Sequence, residues 1–305
     1  MARRTRRIVA ALALAAIVCG AWYLFFYEPL YGGLVARPAR TLVFAHRGFG
    51  NYAPDNSLSG ALMAMQSGMD GVDMDGQMSS DGALVIFHDL SVDRLTTGTG
   101  RVTSKTLQEL LSLDLGPKYG HGFRDTFVAT FEDFVRNIKG KGILMVELKV
   151  PGLENTGIEE KAVAIIREYR AQDSVYLSSF NPLVLYRLKK IDPAIRTVYI
   201  FIDTDWNPQL LAEIKPEDLV HLPWVLRQEP FRRAIRKLIR PDLLSVNYQV
   251  AERTIDTLLK AGHPIFLWTP ESEEDLRRTL AKKPYGVISD EPQLAKKLRD
   301  GMSAP

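Results

Sequence analysis

The chain has 305 residues, which is enough for one large domain or two small ones. Hydrophobic residues make up 46% and charged residues 25%, an ordinary globular composition that excludes a disordered or fibrous chain, and the single cysteine excludes a disulfide framework and a cysteine-based zinc site. Four of the 39 basic residues lie within the first 27 residues, where there is no acidic residue, so the rest of the chain is close to neutral and is not a basic nucleic-acid binder.

The first predicted element is a membrane-spanning helix. Four arginines in residues 1–7 precede an uncharged run over residues 8–27, roughly the length that crosses a bilayer, and the run ends in aromatic residues typical of a membrane interface. The positive-inside rule places residues 1–7 in the cytoplasm and the rest of the chain beyond the membrane, as a single-pass protein of the cell membrane. A signal peptide cleaved after Cys19-Gly20-Ala21 is the alternative, and it also exports the body of the protein.

The remaining chain predicts one (β/α)8 barrel. Residues 28–40 form a linker whose Pro and Gly prevent a helix, and from residue 41 to residue 300 apolar runs alternate with amphipathic helical patterns. The alternative, a doubly wound open sheet, lacks support because no glycine-rich phosphate loop follows the first strand. The predicted barrel strands are 42–46, 71–77, 143–149, 175–179, 196–202, 243–247, 264–268 and 286–289. The predicted helices are 57–67, 158–171, 182–191, 252–261 and 272–282.

Two connections of the predicted barrel are unusually long. After strand two, a hairpin turn at residues 79–82 leads to an extra strand, 84–88, and then to an insertion over residues 89–142. After strand five, residues 203–242 carry Trp206 and Trp224 and end in a basic amphipathic segment. This segment is predicted to be the fifth barrel helix, with its apolar stripe on the sheet and its charges in water; the alternative is an element that rests on anionic lipid headgroups. The apolar stripe is Phe231, Ile235, Leu238 and Ile239, and the charges are Arg232, Arg233, Arg236, Lys237 and Arg240.

Polar residues collect where predicted strands end. In a barrel the carboxyl ends of the strands build one active site, so these residues are expected to converge although they are distant in sequence. Residues two apart on a strand point to the same side, which brings the carboxylates together. The residues are His46 and Arg47 after strand one, Asp73 and Asp75 on strand two, His88 after the hairpin strand, and Glu147 and Lys149 at strand three.

These residue types favour metal-assisted phosphate chemistry. Three carboxylates around one point repel each other unless a cation neutralises them, and oxygen ligands suit Mg²⁺ or Ca²⁺ better than zinc. Two histidines beside such an ion are candidates for general acid and base. Arg47 and Lys149 offer positive charge to an anion, and a phosphate fits such a metal-plus-arginine cradle. The other histidines, His121, His221 and His263, have no such neighbours, and we expect structural roles for them.

The same residues belong to a longer series of motifs. The series is His46-Arg47-Gly48, Pro54-Asp55-Asn56-Ser57, Gly71-Val72-Asp73-Met74-Asp75, Asp81-Gly82, His88-Asp89, Arg94 to Gly100, Glu147-Leu148-Lys149, Ser178-Ser179-Phe180, Trp268-Thr269 and Ser289-Asp290-Glu291-Pro292. In order, spacing and residue type it resembles the glycerophosphodiester phosphodiesterase family over about residues 42–298.

The resemblance implies a (β/α)8 barrel that hydrolyses glycerophosphodiesters to glycerol 3-phosphate and an alcohol with the help of a divalent metal, Ca²⁺ or Mg²⁺. It implies catalytic roles for His46, His88 and Lys149 and a phosphate contact for Arg47. The metal ligands that it implies are Asp73, Asp75 and Glu147. The family usually has Glu at positions 55 and 73, and the shorter Asp73 predicts looser coordination, which Ca²⁺ tolerates better than Mg²⁺.

The mechanism expected on this basis uses one histidine to protonate the leaving alcohol and the other to deprotonate the nucleophile, which is water or the 2-hydroxyl of the glycerol. The substrate is a deacylated diester or, alternatively, a lysophospholipid cleaved as by a phospholipase D. An exported binding barrel without catalysis is the third hypothesis, and the presence of both His46 and His88 argues against it.

Overall fold

The structure, a computed structural model, describes residues 2–33, 35–116, 119, 121–123, 125–202 and 228–302. Eight parallel strands form a closed barrel. The first of these strands pairs with both the second and the last, and each of the others pairs with the barrel strands before and after it in the chain. The predicted (β/α)8 barrel is therefore confirmed. Its strands are β1 (Leu42–His46), β2 (Gly71–Met78), β5 (Ile143–Leu148), β6 (Val175–Ser179), β7 (Arg196–Phe201), β8 (Leu243–Asn247), β9 (Ile265–Trp268) and β10 (Gly286–Ser289).

The insertion after β2 is also present. β3 (Leu84–Ile86) pairs antiparallel with β2 across the predicted turn, and β4 (Ala129–Thr130) pairs antiparallel with β3. The insertion has a small apolar core of its own, which includes residues of the short helix α3 (Leu107–Leu111). Its predicted end at residue 142 is wrong, because a barrel helix, α4 (Phe131–Ile138), begins at residue 131. The sequence carried the signal for that helix, since Thr130 and Asp133 form a capping box.

The barrel helices begin and end near the predicted positions. Ser57 caps the amino end of α2 and Asn181 that of α6, where Pro182 occupies the first helical position. Besides α3 and α4, the helix over Pro292–Met302 lies outside the predicted set. The helices are α2 (Leu58–Gln66), α5 (Ile158–Glu168), α6 (Pro182–Ile191), α7 (Glu229–Ile239), α8 (Glu252–Lys260), α9 (Glu273–Ala281) and α10 (Pro292–Met302).

Two apolar clusters decide which end of the barrel is open to polar groups. The larger cluster lies between the strands and the helices. The smaller one fills the barrel interior and includes Phe44, Phe266 and Tyr285, with Val35 of the linker and Leu42 packed against it. Because Leu42 begins β1 and the linker precedes it, this cluster closes the amino-terminal end of the barrel. The carboxyl end, where the polar residues stand, is left for the site.

The amino-terminal segment is a helix, α1 (Ala2–Phe25), that stands clear of the barrel for most of its length. Within the part of the chain that the structure describes, its segment Arg4–Phe25 is the one helix long and apolar enough to cross a membrane. The linker that follows contacts the barrel: Tyr31 donates its hydroxyl hydrogen to the carbonyl of Asp242 at 2.8 Å and its N–H to the carbonyl of Ala261 at 2.7 Å. Both partners lie near the amino-terminal ends of β8 and β9.

The basic segment after strand five is the barrel helix α7, and Ile235 and Ile239 of its predicted apolar stripe pack on the larger apolar cluster. The prediction that its charges face water is wrong for two of the arginines. Trp206 and Trp224 fall in residues 203–227, outside the described residues. Within α7, the side chains of Arg232 and Arg236 are buried, whereas Leu238 is 71% exposed. Both guanidinium groups lie against the ring of Phe201, at 5.2 and 5.6 Å from its centroid, so these two charges face the protein, whereas Arg240 is exposed as predicted.

Candidate active site

The predicted site residues converge at the carboxyl ends of the first barrel strands. His46 of β1 lies opposite Asp73 of β2, and Asp75 lies opposite Glu147 of β5. Parallel pairing thus places the three predicted acidic ligands on two neighbouring strands. Lys149, two residues after Glu147, lies immediately beyond the end of β5.

Lys149 ties two of the carboxylates together. Its Nζ lies 3.1 Å from Asp75 Oδ1 and 3.2 Å from Glu147 Oε2. Burial lowers the pKa of Lys149, but the charges of Asp75 and Glu147 outweigh this effect and raise it above its usual value. Burial likewise raises the pKa of Asp75, yet the charges of Lys149 and Arg47 and the hydrogen bond from Asn56 leave that pKa well below its usual range. Asp75 and Lys149 are therefore an ion pair, and Asp75 keeps its negative charge.

The charge balance of this cluster fits a further cation. Burial, together with the neighbouring carboxylates, raises the pKa of Asp73 to about 7 and that of Glu147 to about 7. A divalent ion among these oxygens would favour the ionised forms, and a set of carboxylates suits a hard ion. Among the described residues, however, no three His, Cys, Asp or Glu side chains are already arranged as a metal-binding group. The donor chemistry fits a divalent cation, while Lys149 supplies the positive charge between two of the carboxylates.

A carboxylate that the sequence argument left without a role holds His46. Asp290 follows β10, and its Oδ1 lies 2.8 Å from His46 Nδ1. Burial lowers the pKa of His46, but the charge and hydrogen bond of Asp290 outweigh it and raise the pKa above its usual value. This pair favours the protonated imidazolium. The sequence signal for this pair was the position of Asp290, which directly follows the last barrel strand. That strand is the neighbour of the first strand, which carries His46.

His88 has the opposite electrostatic setting. Its Nδ1 lies 2.7 Å from Asp89 Oδ1, and its Nε2 lies 2.8 Å from Arg47 Nη2. A guanidinium group can only donate, so Nε2 must accept and the ring proton must sit on Nδ1. Burial, with the charge of Lys149 next, lowers the pKa of His88. His88 is accordingly the neutral imidazole of the site.

The hairpin insertion delivers His88 although β3 already ends at Ile86. Gln77 of β2 donates from Nε2 to the carbonyls of Phe87 and Asp89, at 2.9 and 2.7 Å, and so holds the loop on both sides of His88. Arg94 then holds Asp89 with two nitrogens, at 2.6 and 2.9 Å from its oxygens. These contacts are long-range consequences of the hairpin, which sequence reasoning could not assign.

Asn56 is a further residue whose position was not anticipated. Its Nδ2 donates to Asp75 Oδ2 at 3.0 Å, and its Oδ1 accepts from the backbone N–H of Asp75 at 2.9 Å. Asn56 is fully buried and has a positive φ of 58°, a conformation that asparagine tolerates better than most residues. The side chain therefore clamps Asp75 from the side opposite Lys149. Asp55 beside it accepts from Arg47 Nη1 at 3.2 Å.

The remaining histidines lie apart from this cluster as far as the structure describes them. His263 Nε2 lies 3.0 Å from Glu28 Oε1 near the amino-terminal end of the barrel. His121 falls in a short helical turn, but its side chain, like all of His221, is outside the described residues.

Comparison with known proteins gives concordant results. The model of the Glycerophosphoryl diester phosphodiesterase family matches residues 46–294. The chain is 32% identical over 255 residues to a glycerophosphodiester phosphodiesterase of Caldanaerobacter subterraneus subsp. tengcongensis, which covers 83% of this chain and 96% of that one. It is 27% identical over 265 residues to a glycerophosphodiester phosphodiesterase of Bacillus altitudinis, covering 86% and 99%.

Solved structures share the fold. A phosphodiesterase of Oleispira antarctica in complex with the product sn-glycerol-3-phosphate superposes with a TM-score of 0.68 at 24% identity, covering 87% of this chain and 98% of that one. A glycerophosphodiester phosphodiesterase of Agrobacterium tumefaciens gives a TM-score of 0.65 at 22% identity, covering 84% and 99%.

Proposed function

The chain belongs to the glycerophosphoryl diester phosphodiesterase family, and from this premise we propose that it hydrolyses glycerophosphodiesters to glycerol 3-phosphate and an alcohol. The observation that carries the proposal is the meeting of two histidine–aspartate pairs with Arg47 and Lys149 at one end of the barrel. A phosphodiester resists hydrolysis because its negative charge repels nucleophiles and its alkoxide leaves poorly. The cations address the first obstacle and the histidines the second.

The two histidines take different parts in this mechanism. His46, kept protonated by Asp290, donates a proton to the leaving alcohol. His88, neutral and with Nε2 as its acceptor, takes the proton from the nucleophile, which is water or the 2-hydroxyl of the glycerol. Arg47 occupies Nε2 of His88 in the free site, so a bound phosphate that draws Arg47 away would free this nitrogen for the proton. Lys149 stabilises the charge that develops on the phosphoryl oxygens.

A divalent cation completes the proposal. Asp73, Asp75 and Glu147 would hold it, and when bound it neutralises nonbridging oxygens of the phosphate. Ca²⁺ suits these three carboxylates better than Mg²⁺, because the side chain of Asp73 is short and Ca²⁺ accepts a less regular coordination geometry. The raised pKa values of Asp73 and Glu147 support this part of the proposal, since they mark buried carboxylates whose burial the positive charges of the site do not offset.

The substrate that we propose is a deacylated, water-soluble diester. The linker from α1 meets the amino-terminal end of the barrel, the end opposite the site, and nothing in that arrangement favours an acyl chain held in the bilayer. Phe180 and Trp268, at the carboxyl ends of β6 and β9, contact each other edge to face with centroids 6.1 Å apart and offer apolar surface to the alcohol. α1 anchors the barrel in the cell membrane, with the barrel outside the cytoplasm.

One assay tests the proposal. The purified chain in mild detergent is given glycerophosphocholine or lysophosphatidylcholine, with Ca²⁺ or after exhaustive chelation with EDTA. We expect release of glycerol 3-phosphate from the first substrate, loss of activity on chelation and recovery with Ca²⁺. His46→Ala and His88→Ala should each lower turnover about 10²–10⁴-fold. Preference for lysophosphatidylcholine would instead establish the phospholipase D-type alternative, and full activity after chelation would remove the metal.

A nitrophenyl ester separates the two histidines. Nitrophenolate leaves a phosphodiester without being protonated. A nitrophenyl phosphodiester substrate should therefore partly restore the turnover of His46→Ala but not that of His88→Ala. Rescue of His88→Ala alone would reverse the assignment.

A further inference from the structure

We propose that α7 of the barrel is a docking site for the carboxyl-terminal end of the membrane helix α1, so that anchor and barrel form one rigid body rather than a barrel on a flexible tether. The interaction surface consists of Arg233, Arg236 and Lys237, and its partner is the segment from Tyr23 to Glu28. The proposal goes beyond the catalytic function and does not depend on it.

The first observation concerns the carbonyl groups that a helix leaves without partners at its end. The last turn of α1 presents such groups, and within a membrane interface each of them needs a donor. Lys237 Nζ donates to the carbonyls of Tyr23, Leu24 and Tyr27, the last two at 2.9 and 2.5 Å. Arg233 Nη1 donates to the two carbonyls between Leu24 and Tyr27, those of Phe25 and Phe26, at 3.1 and 3.0 Å. Two side chains of α7 thus satisfy five consecutive carbonyls.

Cations at a helix carboxyl terminus are also favourable on electrostatic grounds. The aligned peptide dipoles leave a partial negative charge there, and Lys237 and Arg233 bring positive charge to it. The contact is not only polar: the rings of Phe25 and Phe231 meet edge to face with centroids 5.3 Å apart, and Lys237 Nζ lies 4.6 Å from the centroid of the Tyr23 ring.

Glu28, the first acidic residue after the anchor, supplies the second observation. Its Oε2 accepts from Arg236 Nη2 at 2.6 Å and from Arg233 Nε at 2.9 Å, and its Oε1 lies 3.0 Å from His263 Nε2. The side chains of Glu28 and Arg236 are only 6% and 2% exposed. Burial raises the pKa of Glu28, but the hydrogen bond from His263 and the charge of Arg236 lower it to about 2, so the carboxylate is ionised.

The charge balance of α7 shows why the barrel needs this residue. Arg232, Arg233 and Arg236 lie within three turns of the same helix, and Glu229 is the acid of that helix that pairs with all three. Without Glu28, the buried Arg236 would keep, among the described carboxylates, that of Glu229, which also pairs with Arg232 and Arg233. Removing one partner from a buried group of ion pairs is strongly destabilising, because the remaining charge is compensated less. The segment after the anchor therefore contributes a carboxylate to the folded barrel, which a mere tether would not do.

The proposal is tested by disulfide formation in the full chain reconstituted in phospholipid vesicles. Cys19 is replaced by Ser, and cysteines are placed as the pair Phe25→Cys and Phe231→Cys. We expect rapid oxidation of this pair to one intramolecular disulfide. The matched control, Phe25→Cys with Leu238→Cys, uses an exposed residue of the same helix seven positions on, roughly 10 Å along the axis, and should not oxidise.

A charge variant and an exchange measurement complete the test. Glu28→Gln in the Phe25/Phe231 pair should slow oxidation by about tenfold or more, and in the otherwise unaltered chain it should increase amide hydrogen exchange over residues 26–33. Glu274→Gln, an exposed acid on α9, should change neither. Equal oxidation of both cysteine pairs, or no oxidation in a chain that still unfolds cooperatively on heating, would overturn the docking. Oxidation and exchange unaffected by Glu28→Gln would overturn the role of Glu28.

Discussion

At the scale of single residues, each histidine of the site is oriented through Nδ1 by its own aspartate, and each aspartate raises the pKa of its histidine, but the surroundings give the two histidines opposite shifts. Asp290 acts on a histidine that few other cations surround, so it succeeds in raising the pKa of His46. Asp89 shares its charge with Arg94, and His88 also faces Lys149 and Arg47, so the pKa of His88 stays low. The same residue pair thus favours the protonated imidazole in one place and the neutral imidazole in the other, as the proposed acid and base require.

Asp290→Asn should move the limb of the pH–activity profile that His46 governs toward lower pH. The native carboxylate raises the pKa of His46, so its removal lowers that pKa, and a protonated His46 is then lost at a lower pH than before. The profile of kcat/KM against pH measures the shift. Asp300→Asn, at an exposed acid on α10, should leave the profile in place, whereas an alkaline shift in Asp290→Asn would contradict the assignment.

Asn56→Ala should weaken Ca²⁺ binding by about 10–100-fold, because the carboxylate of Asp75 loses a donor that orients it. Asn56→Asp should be worse, since it sets a second carboxylate against Asp75. Calorimetric titration with Ca²⁺ measures both, and Asn155→Ala on the surface is the control. Unchanged affinity in both Asn56 variants would show that Asn56 only supports the fold.

At the scale of elements, the loops after β1 and β10 are joined across the seam of the barrel. Asn51 donates its N–H to the carbonyl of Asp290 at 3.1 Å, and Asn51 and Tyr52 both donate side-chain hydrogens to Glu291. Gly50 makes this approach possible: its φ is 54°, and a Cβ there would lie 2.2 Å from the Asp290 carbonyl oxygen. The strand-one loop and the carboxylate that holds His46 are therefore positioned together.

Gly50→Ala should lower both stability and activity. The substitution combines a left-handed conformation, which costs an alanine about 1–2 kcal/mol, with a backbone clash that must displace Asp290. Gly82→Ala is the control, since Gly82 also has a positive φ, 81°, but a Cβ there meets nothing within 4 Å. Measurements of thermal unfolding and of turnover distinguish the two variants, because Gly82→Ala should lose stability but keep its turnover. Normal turnover in Gly50→Ala would show that the loops are not coupled to His46.

At the scale of the whole molecule, the segment that follows α1 is part of the barrel fold. Tyr31 donates hydrogen bonds to the two loops that lead into β8 and β9, and Val35 packs on the apolar cluster that closes the amino-terminal end of the barrel. The site stands at the other end. Stability and catalysis therefore draw on opposite ends of the barrel.

A soluble fragment that begins at Ala39 should be less stable than one that begins at Glu28, by about 3 kcal/mol or more, because it leaves Arg236 with one buried carboxylate fewer. In a chain of this size that corresponds to a melting temperature roughly 6–12 °C lower. Turnover at 25 °C should be similar in both. Equal melting temperatures would mean that the linker contributes nothing to the fold.

The sequence by itself determined the barrel, because strands buried on both faces must be apolar runs and parallel strands need helices between them, as at β1, β6, β8 and β10. It also determined the end at which His46, Asp75 and Glu147 meet, since strand ends of a barrel share one face. Only the tertiary structure decided which partner each charged group has. Asp290 is 244 residues from His46, and Glu28 is 208 residues from Arg236. An amphipathic pattern assumes that charge faces water, and α7 departs from it at Arg236 because Glu28, a distant carboxylate, pairs with that buried guanidinium group.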